Sequence, residues 1–138
     1  MPALIKPAFF QERRGKMKSI NANNAPIAIG PYSHGYVAGN LVFTSGQLGV
    51  DPNSGELKEG IEAQTEQAIL NLIEVLKAAN VSIDKVVKTT CFLAEISDFA
   101  MFNEVYAKHF TSKPARSCFS VKDLPKGALC EIEAIAEL

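Results

Sequence analysis

The sequence predicts an α+β domain of about six strands, with two helices packed on one face of a single sheet. Three observations carry that expectation. Only two segments repeat apolar residues at three- and four-residue spacing. The other ordered segments are short runs rich in Val, Ile, Thr and Phe, separated by Gly, Pro, Asn and Asp. Their order along the chain is β-β-β-α-β-α-β-β, which separates a strand-rich first half from two helix-strand units.

The elements follow in order. Ser19–Asn21 reads as a short strand and Ala25–Pro31 as a loop, with Pro26 and Pro31 bracketing Gly30. Tyr32–Ala38 and Leu41–Ser45 read as strands around Gly39-Asn40, a two-residue turn able to take positive φ. Asp51-Pro52-Asn53-Ser54-Gly55 is a dense turn signal. Ile61–Ala79 reads as a helix whose apolar stripe is Ala68, Ile69, Leu72, Ile73, Leu76 and Ala79, stopped at Asn80. Val86–Leu93 reads as a strand. Asp98 is the expected N-cap of a second helix, Phe99–Phe110, with the stripe Phe99, Phe102, Tyr106 and Phe110. Ala115–Val121 and Leu129–Ala136 read as the last strands, joined through Leu124-Pro125-Lys126-Gly127.

Alternation in the last strand divides it sharply. Cys130, Ile132, Ala134 and Ala136 form a small apolar side suited to packing under helices. Leu129, Glu131, Glu133 and Ile135 form the other side, which could be solvated, line a subunit interface or line a site.

Composition limits the function. The chain has 138 residues, one domain's worth, with 47% apolar and 21% charged residues, as in a globular protein and not a disordered one. Residues 1–17 stand apart, holding Lys6, Arg13, Arg14 and Lys16 against Glu12, with Pro7 splitting the apolar parts. They read as a flexible N-terminal extension to a single domain at 18–138; an upstream start before Met17 and an organelle-targeting segment are the alternatives. Without those four bases and one acid, 10 basic and 14 acidic residues remain, a net −4, which argues against a nucleic-acid partner. No apolar run approaches the ~20 residues that span a bilayer. Three scattered cysteines without a secretion signal fit a reducing, cytoplasmic setting. With only His34 and His109 available and no C-x-x-C spacing, no metal site is expected.

The residues that carry chemistry are few. Arg116, Cys118 and Ser120 alternate onto one strand face. Arg116 there is either a solvated or salt-bridged edge residue or a planar fork that grips a carboxylate through two donors. Glu131 is either the outward residue of a half-buried strand or a general acid/base that positions water, with Glu133 about 6–7 Å along the same face. Cys118 could be a nucleophile, yet no histidine is paired with it in the sequence and Arg116 is a weak activator. Cys91 and Cys130 read as buried small hydrophobes, and His34 as structural. The residue types alone license an α+β domain with a possible anion site.

From Ser19 to Leu138 the chain resembles the RidA/YjgF family of reactive-intermediate deaminases, also called L-PSP ribonucleases or translation-inhibitor-like proteins. The resemblance lies in five segments that follow the family's order: Ala25-Pro26-Ile27-Ala28-Ile29-Gly30-Pro31-Tyr32-Ser33, Thr44-Ser45-Gly46-Gln47, Val87-Lys88-Thr89-Thr90, Pro114-Ala115-Arg116-Ser117, and Leu124-Pro125-Lys126-Gly127 followed by Glu131-Ile132-Glu133-Ala134. It implies a chorismate-mutase-like fold with a mixed sheet, and a homotrimer whose sites lie between subunits. It implies hydrolysis of short 2-imino acids, such as 2-iminobutanoate and 2-iminopropanoate, to 2-keto acids and ammonia, with no cofactor or metal. By the same resemblance Arg116 binds the substrate carboxylate and Glu131 positions water. Tyr32, Ser45, Gly46, Asn103 and Cys118 contact substrate, the cysteine chiefly through its backbone. His34 stands where many members carry Gln, which is expected to change the loop surface only, and the short Phe110–Pro114 connection is expected to alter the cleft rim. Two other functions go with the family's older names or its scaffold: an RNA-binding ribonuclease, and a non-catalytic ligand-binding or chaperone-like trimer.

Overall fold

The computed structural model describes residues 17–138. The expectation of a flexible extension therefore falls, but for Met17, outside the described residues.

Seven strands form one mixed sheet: β1 (Lys18–Ile20), β2 (Gly35–Ala38), β3 (Leu41–Thr44), β4 (Gln47–Leu48), β5 (Val86–Leu93), β6 (Ala115–Ser120) and β7 (Cys130–Glu137). Two helices, α1 (Gly60–Ala78) and α2 (Phe99–His109), lie between β4 and β5 and between β5 and β6. The strand order is β1-β2-β3-β7-β5-β6, and β4 also pairs with β7. All pairs are antiparallel except β5 with β6. A parallel pair cannot be closed by a tight turn, and α2 is the crossover that makes this one possible.

Local chemistry explains most of these boundaries. Ala38 and Leu41 face each other across Gly39-Asn40, with Gly39 at φ +63°. That is the glycine-first two-residue turn whose twist matches its flanking strands. Asp51 closes the next turn by accepting from the N–H groups of Asn53 (2.8 Å) and Ser54 (3.2 Å). The α1 C-terminus ends where Asn80 takes φ +59°. Asn80 N–H then donates to the Lys77 carbonyl (2.9 Å) and Val81 N–H to the Leu76 carbonyl (3.0 Å), a Schellman closure that satisfies two orphan carbonyls.

The core lies between the helices and one sheet face. Val42, Ile69, Leu72, Leu76, Leu93, Phe102 and Ile132 are fully enclosed. Truncating Phe102 to alanine there costs about 3–5 kcal/mol. In β7, Cys130, Ile132, Ala134 and Ala136 are buried while Glu131, Glu133 and Ile135 are half-buried on the opposite face, so the predicted division of that strand holds. Tyr36, Phe43 and Phe119 are exposed on that second face.

Four expectations need correction. β2 starts at Gly35, not Tyr32, because Tyr32–His34 bend toward the preceding loop. β4 was not anticipated; two residues beside a glycine carry no alternation to detect. Asp98 flanks α2 but makes no side-chain cap, since it closes the 3₁₀ turn Ile96–Asp98 and is already in the αR region. Phe99 is 38% exposed instead of joining the α2 core stripe, where Val105 takes its place.

Candidate active site

Two clusters emerge, one on each face of the sheet. The first centres on Arg116 in β6. Thr89 of β5 is its direct partner in the parallel ladder. Helix α2 crosses above and presents Phe99, Asn103 and Tyr106 at the i, i+4, i+7 spacing that shares one helix face. Arg116 Nη1 donates to Asn103 Oδ1 at 2.9 Å. The guanidinium carbon stands 4.7 Å from the Tyr106 ring centroid and 5.6 Å from that of Phe99. Among the described residues no carboxylate lies within ion-pair distance of Arg116. A planar cation is thus oriented by an amide oxygen and two rings while most of its five donors stay open. A groove of ≈ 490 Å³ runs from it along Tyr106, Phe110, Thr111, Lys113 and Pro114.

Cys118 follows on the same face, packed against the core. Its thiol is pushed up, chiefly by burial, with Arg116 pulling the other way. Cys91 and Cys130 are enclosed, and burial drives them to about 12 and about 11. None of the three is a ready thiolate.

The second cluster centres on Glu131 in β7. Here the backbone is irregular by design. Phe43 faces Ile135 and Gln47 faces Ile132, so four steps on the β3–β4 side match three on β7. The extra residue is a bulge at Thr44–Gly46. The Thr44 hydroxyl accepts from Ala134 N–H at 2.9 Å, giving that amide a partner within the bulge. The Glu131 carboxyl then fits against Gly46. A Cβ at position 46 would stand 2.0 Å from Glu131 Oε1, so only glycine permits the approach. Glu131 has its carboxyl pushed up, first by burial and then by Glu133. That is the environment of a carboxylate poised for proton transfer.

Ser45 sits in the same bulge and donates from Oγ to the Ser33 carbonyl at 2.6 Å. Tyr32, half out in solvent, accepts from Ile29 N–H at 3.4 Å and lines a small cleft with Ile27, His34, Gly46, Gln47 and Lys126. His34 is structural, as expected, but at 6% exposed it is not the loop-surface residue also expected. Its Nδ1 accepts from Ala22 N–H (2.9 Å), which fixes the other tautomer position, and Nε2–H donates to the Pro26 carbonyl (2.8 Å). It pins the Ala22–Pro26 loop from inside and does not alter a surface.

The structure therefore joins Arg116, Asn103 and Cys118 in one cluster, and Glu131, Gly46, Ser45 and Tyr32 in another. It does not bring Arg116 to Glu131 within one chain. Cys118 pairs with Cys91 and Cys91 with Ile132 on the helix side, whereas Glu131 pairs with Phe92 on the open side. Sequence reasoning missed Tyr106 and Phe99 as the rings beside Arg116, and Thr44 as the bulge partner. The α2 stripe held the first two, read as core; the third stood in the Thr44-Ser45-Gly46-Gln47 segment, which gave no sign that its hydroxyl would bond the opposite strand.

A mixed sheet with two helices on one side is the chorismate-mutase-like fold. The chain belongs to the RidA/YjgF family: the family model described as Endoribonuclease L-PSP matches residues 22–138. It is 47% identical over 125 residues to Reactive Intermediate Deaminase A, chloroplastic, of Arabidopsis thaliana, covering 89% of this chain and 67% of that one. It is 45% identical over 123 residues to the 2-iminobutanoate/2-iminopropanoate deaminase of Salmonella typhimurium, covering 86% and 96%. Among solved structures, Escherichia coli TdcF with bound serine superposes with a TM-score of 0.85 at 41% identity, covering 88% of this chain and 98% of that one.

Proposed function

We propose that the protein hydrolyses short 2-imino acids, and their enamine tautomers, to 2-keto acids and ammonia, the activity its deaminase relatives are named for. The observation that carries this is Arg116: a guanidinium oriented by Asn103 and two rings, with its fork open and no acidic partner among the described residues. A carboxylate fills that fork with two parallel charge-assisted hydrogen bonds.

In this mechanism the clamp fixes the carboxylate and so places the C=N carbon next to it. Glu131, as the carboxylate, accepts a proton from water as the oxygen attacks that carbon. The C–O bond forms, the imine π electrons pass to nitrogen, and the nitrogen takes up the proton that Glu131 received. In the resulting amino alcohol the hydroxyl proton passes to nitrogen through Glu131 as the C=O bond forms and the C–N bond breaks, so ammonia leaves and the 2-keto acid remains. The raised proton affinity of Glu131 suits it to both taking and returning the proton.

One chain holds the clamp and the base on opposite sheet faces. The proposed assembly is a homotrimer of about 45 kDa, three times 14.9 kDa, in which the clamp of one subunit meets the base of the next. The exposed Tyr36, Phe43 and Phe119 on the open face support such packing. Residues 18–138 would carry the activity, in a cytoplasmic setting.

The test generates 2-iminobutanoate in situ from threonine with a dehydratase and follows its decay with and without this protein. Faster decay to 2-oxobutanoate and ammonia is the expected result. A decay rate unchanged by stoichiometric protein sinks the proposal. Light scattering that gives a stable 14.9 kDa monomer at micromolar concentration sinks the assembly.

A further inference from the structure

Tyr106 makes three contacts at once. Its hydroxyl meets the Thr89 hydroxyl at 2.7 Å, its ring stacks on Phe110 at 4.2 Å, and its face carries the Arg116 guanidinium at 4.7 Å. Thr89 is itself the strand partner of Arg116 and is fully buried. The tyrosine thus bridges two neighbouring residues of one ladder, its polar end on the first and its π face on the second.

We infer that Tyr106 is a positioning residue for the carboxylate clamp, anchored by Thr89, and that its ring sets the plane in which Arg116 presents its fork. This rests on Arg116 being the carboxylate clamp of the proposed deaminase.

The geometry makes the ring necessary. The Asn103 bond fixes one point of the guanidinium but leaves it free to turn about that bond. A ring face adds the missing constraint, since a stacked guanidinium must lie over it. A free arginine samples many rotamers, which a substrate would otherwise have to freeze out on binding. Here the protein has already frozen it. Phenylalanine would supply a ring but orphan the buried Thr89 hydroxyl, whose other contact is only a long one to Cys91 Sγ at 3.9 Å. Burial pushes the Tyr106 phenol up, so it stays uncharged beside the cation at neutral pH.

The test compares Tyr106→Met, which keeps volume and apolarity but has no π face, with Tyr106→Phe/Thr89→Val, which keeps the ring and removes both hydroxyls. Three readouts are taken: KM and kcat for the imine, calorimetric affinity for 2-oxobutanoate, and the Arg116 Nε–H resonance, assigned by its loss in Arg116→Lys. In Tyr106→Met the KM and the 2-oxobutanoate dissociation constant rise about tenfold or more, as for ~1.4 kcal/mol of lost orientation. The Arg116 resonance loses its ring-current shift and joins those of exposed arginines. In the double variant the ring stays but its anchor is cut, so both constants rise less than in Tyr106→Met, and the Arg116 resonance keeps part of its ring-current shift and broadens. A folded Tyr106→Met with parental KM and an unmoved Arg116 resonance overturns the inference. Should Tyr106→Met not fold, Thr89→Val alone decides: an Arg116 resonance that neither moves nor broadens when the anchor is cut overturns it equally. A parent that neither speeds imine decay nor binds 2-oxobutanoate sinks the deaminase proposal instead, and the resonance still decides the role of Tyr106.

Discussion

Arg116 and Glu131 lie on strands separated only by β5, yet they are held in opposite ways. Arg116 projects from a regular strand and is fixed by side chains on a regular helix: Asn103, Tyr106 and Phe99. Glu131 is fixed by backbone, a bulge at Thr44–Gly46 that leaves room for a carboxyl against a bare Cα. In the proposed mechanism the first cluster is the binding device, and the second is the chemical one, a half-buried acid that burial and then Glu133 keep inclined to hold a proton. Placing them on opposite faces would stop the protein's own acid from neutralising its own clamp. On that reading each chain carries two unfinished halves.

The sharpest way to separate the halves is Glu131→Gln. It keeps shape and removes the proton acceptor, so kcat is expected to fall by about 10²–10⁴ while 2-oxobutanoate affinity, read by calorimetry, stays near parental. Thermal stability at neutral pH should move the other way. A carboxyl whose proton affinity is raised by folding costs stability above its folded pKa, and that cost vanishes as pH falls to the unfolded value. The amide removes the cost, so the variant melts higher at pH 7, with the difference closing in acid.

Arg116→Lys breaks the other half. The charge remains, but the two-donor plane and its fit to the Tyr106 ring are lost. We expect kcat/KM to fall on the order of 100-fold, with 2-oxobutanoate affinity falling in step, because misplacing the reacting carbon by about 1 Å costs that much. Loss of kcat with intact affinity would instead put Arg116 on the chemical side of the comparison.

Gly46→Ala asks whether the bulge serves Glu131. Its Cβ would meet Oε1 at 2.0 Å and the carboxyl carbon at 2.7 Å, so the acid must swing away. Turnover should drop about tenfold or more, with ~1–3 kcal/mol lost in denaturant unfolding from overpacking. A crystal structure showing Glu131 unmoved and turnover intact would leave the bulge with a folding role alone.

The same contrast explains what the sequence could reveal. The Arg116 half rests on alternation and helical period, and both are visible: Val86–Leu93 was delimited to the residue, and 99, 103 and 106 share a face by arithmetic. Even there tertiary context reassigned the rings, because periodicity marks a face without saying whether core or cation lies beneath it. The Glu131 half rests on one extra residue in a strand and on polar groups buried for their bonds. Gln64, Thr65 and Asn71 lie on the buried face of α1, outside its apolar stripe. Gln64 holds the Lys58 carbonyl (2.9 Å) and Leu129 N–H (2.8 Å), and Asn71 holds the Leu48 and Val50 carbonyls at 3.0 and 2.8 Å, tying β4 to the helix. Leu129 and Gln64 lie 65 residues apart, and Thr44 and Ala134 lie 90 apart, and nothing local encodes such pairings. The two named residues Glu131 and Gly46 were legible through family resemblance; the bulge that joins them was not.

Glu133→Gln gives a subtler separation. Glu133 is the second cause of the raised Glu131 proton affinity, after burial, and lies outside the Arg116 cluster. Removing its charge lets Glu131 ionise at lower pH. The acid limb of the kcat profile, which falls as Glu131 takes its proton, should therefore shift to lower pH with the plateau nearly unchanged. A limb that stays in place would assign it to another group.

Cys118→Ser is the smallest expected effect and the most discriminating about chemical class. The thiol lies two residues along the strand from Arg116 on the clamp side, not beside Glu131. Burial raises it and the Arg116 charge only partly offsets that, so it rests as a neutral thiol at physiological pH. A contact made through its backbone survives exchange of sulfur for oxygen. Turnover should stay within about threefold of parental, and placing a hydroxyl in a half-apolar spot should cost about 1 kcal/mol of stability. If Cys118→Ser instead abolishes turnover while Arg116→Lys retains it, the division into clamp and base fails. Covalent attack by sulfur would then have to replace water activated at Glu131.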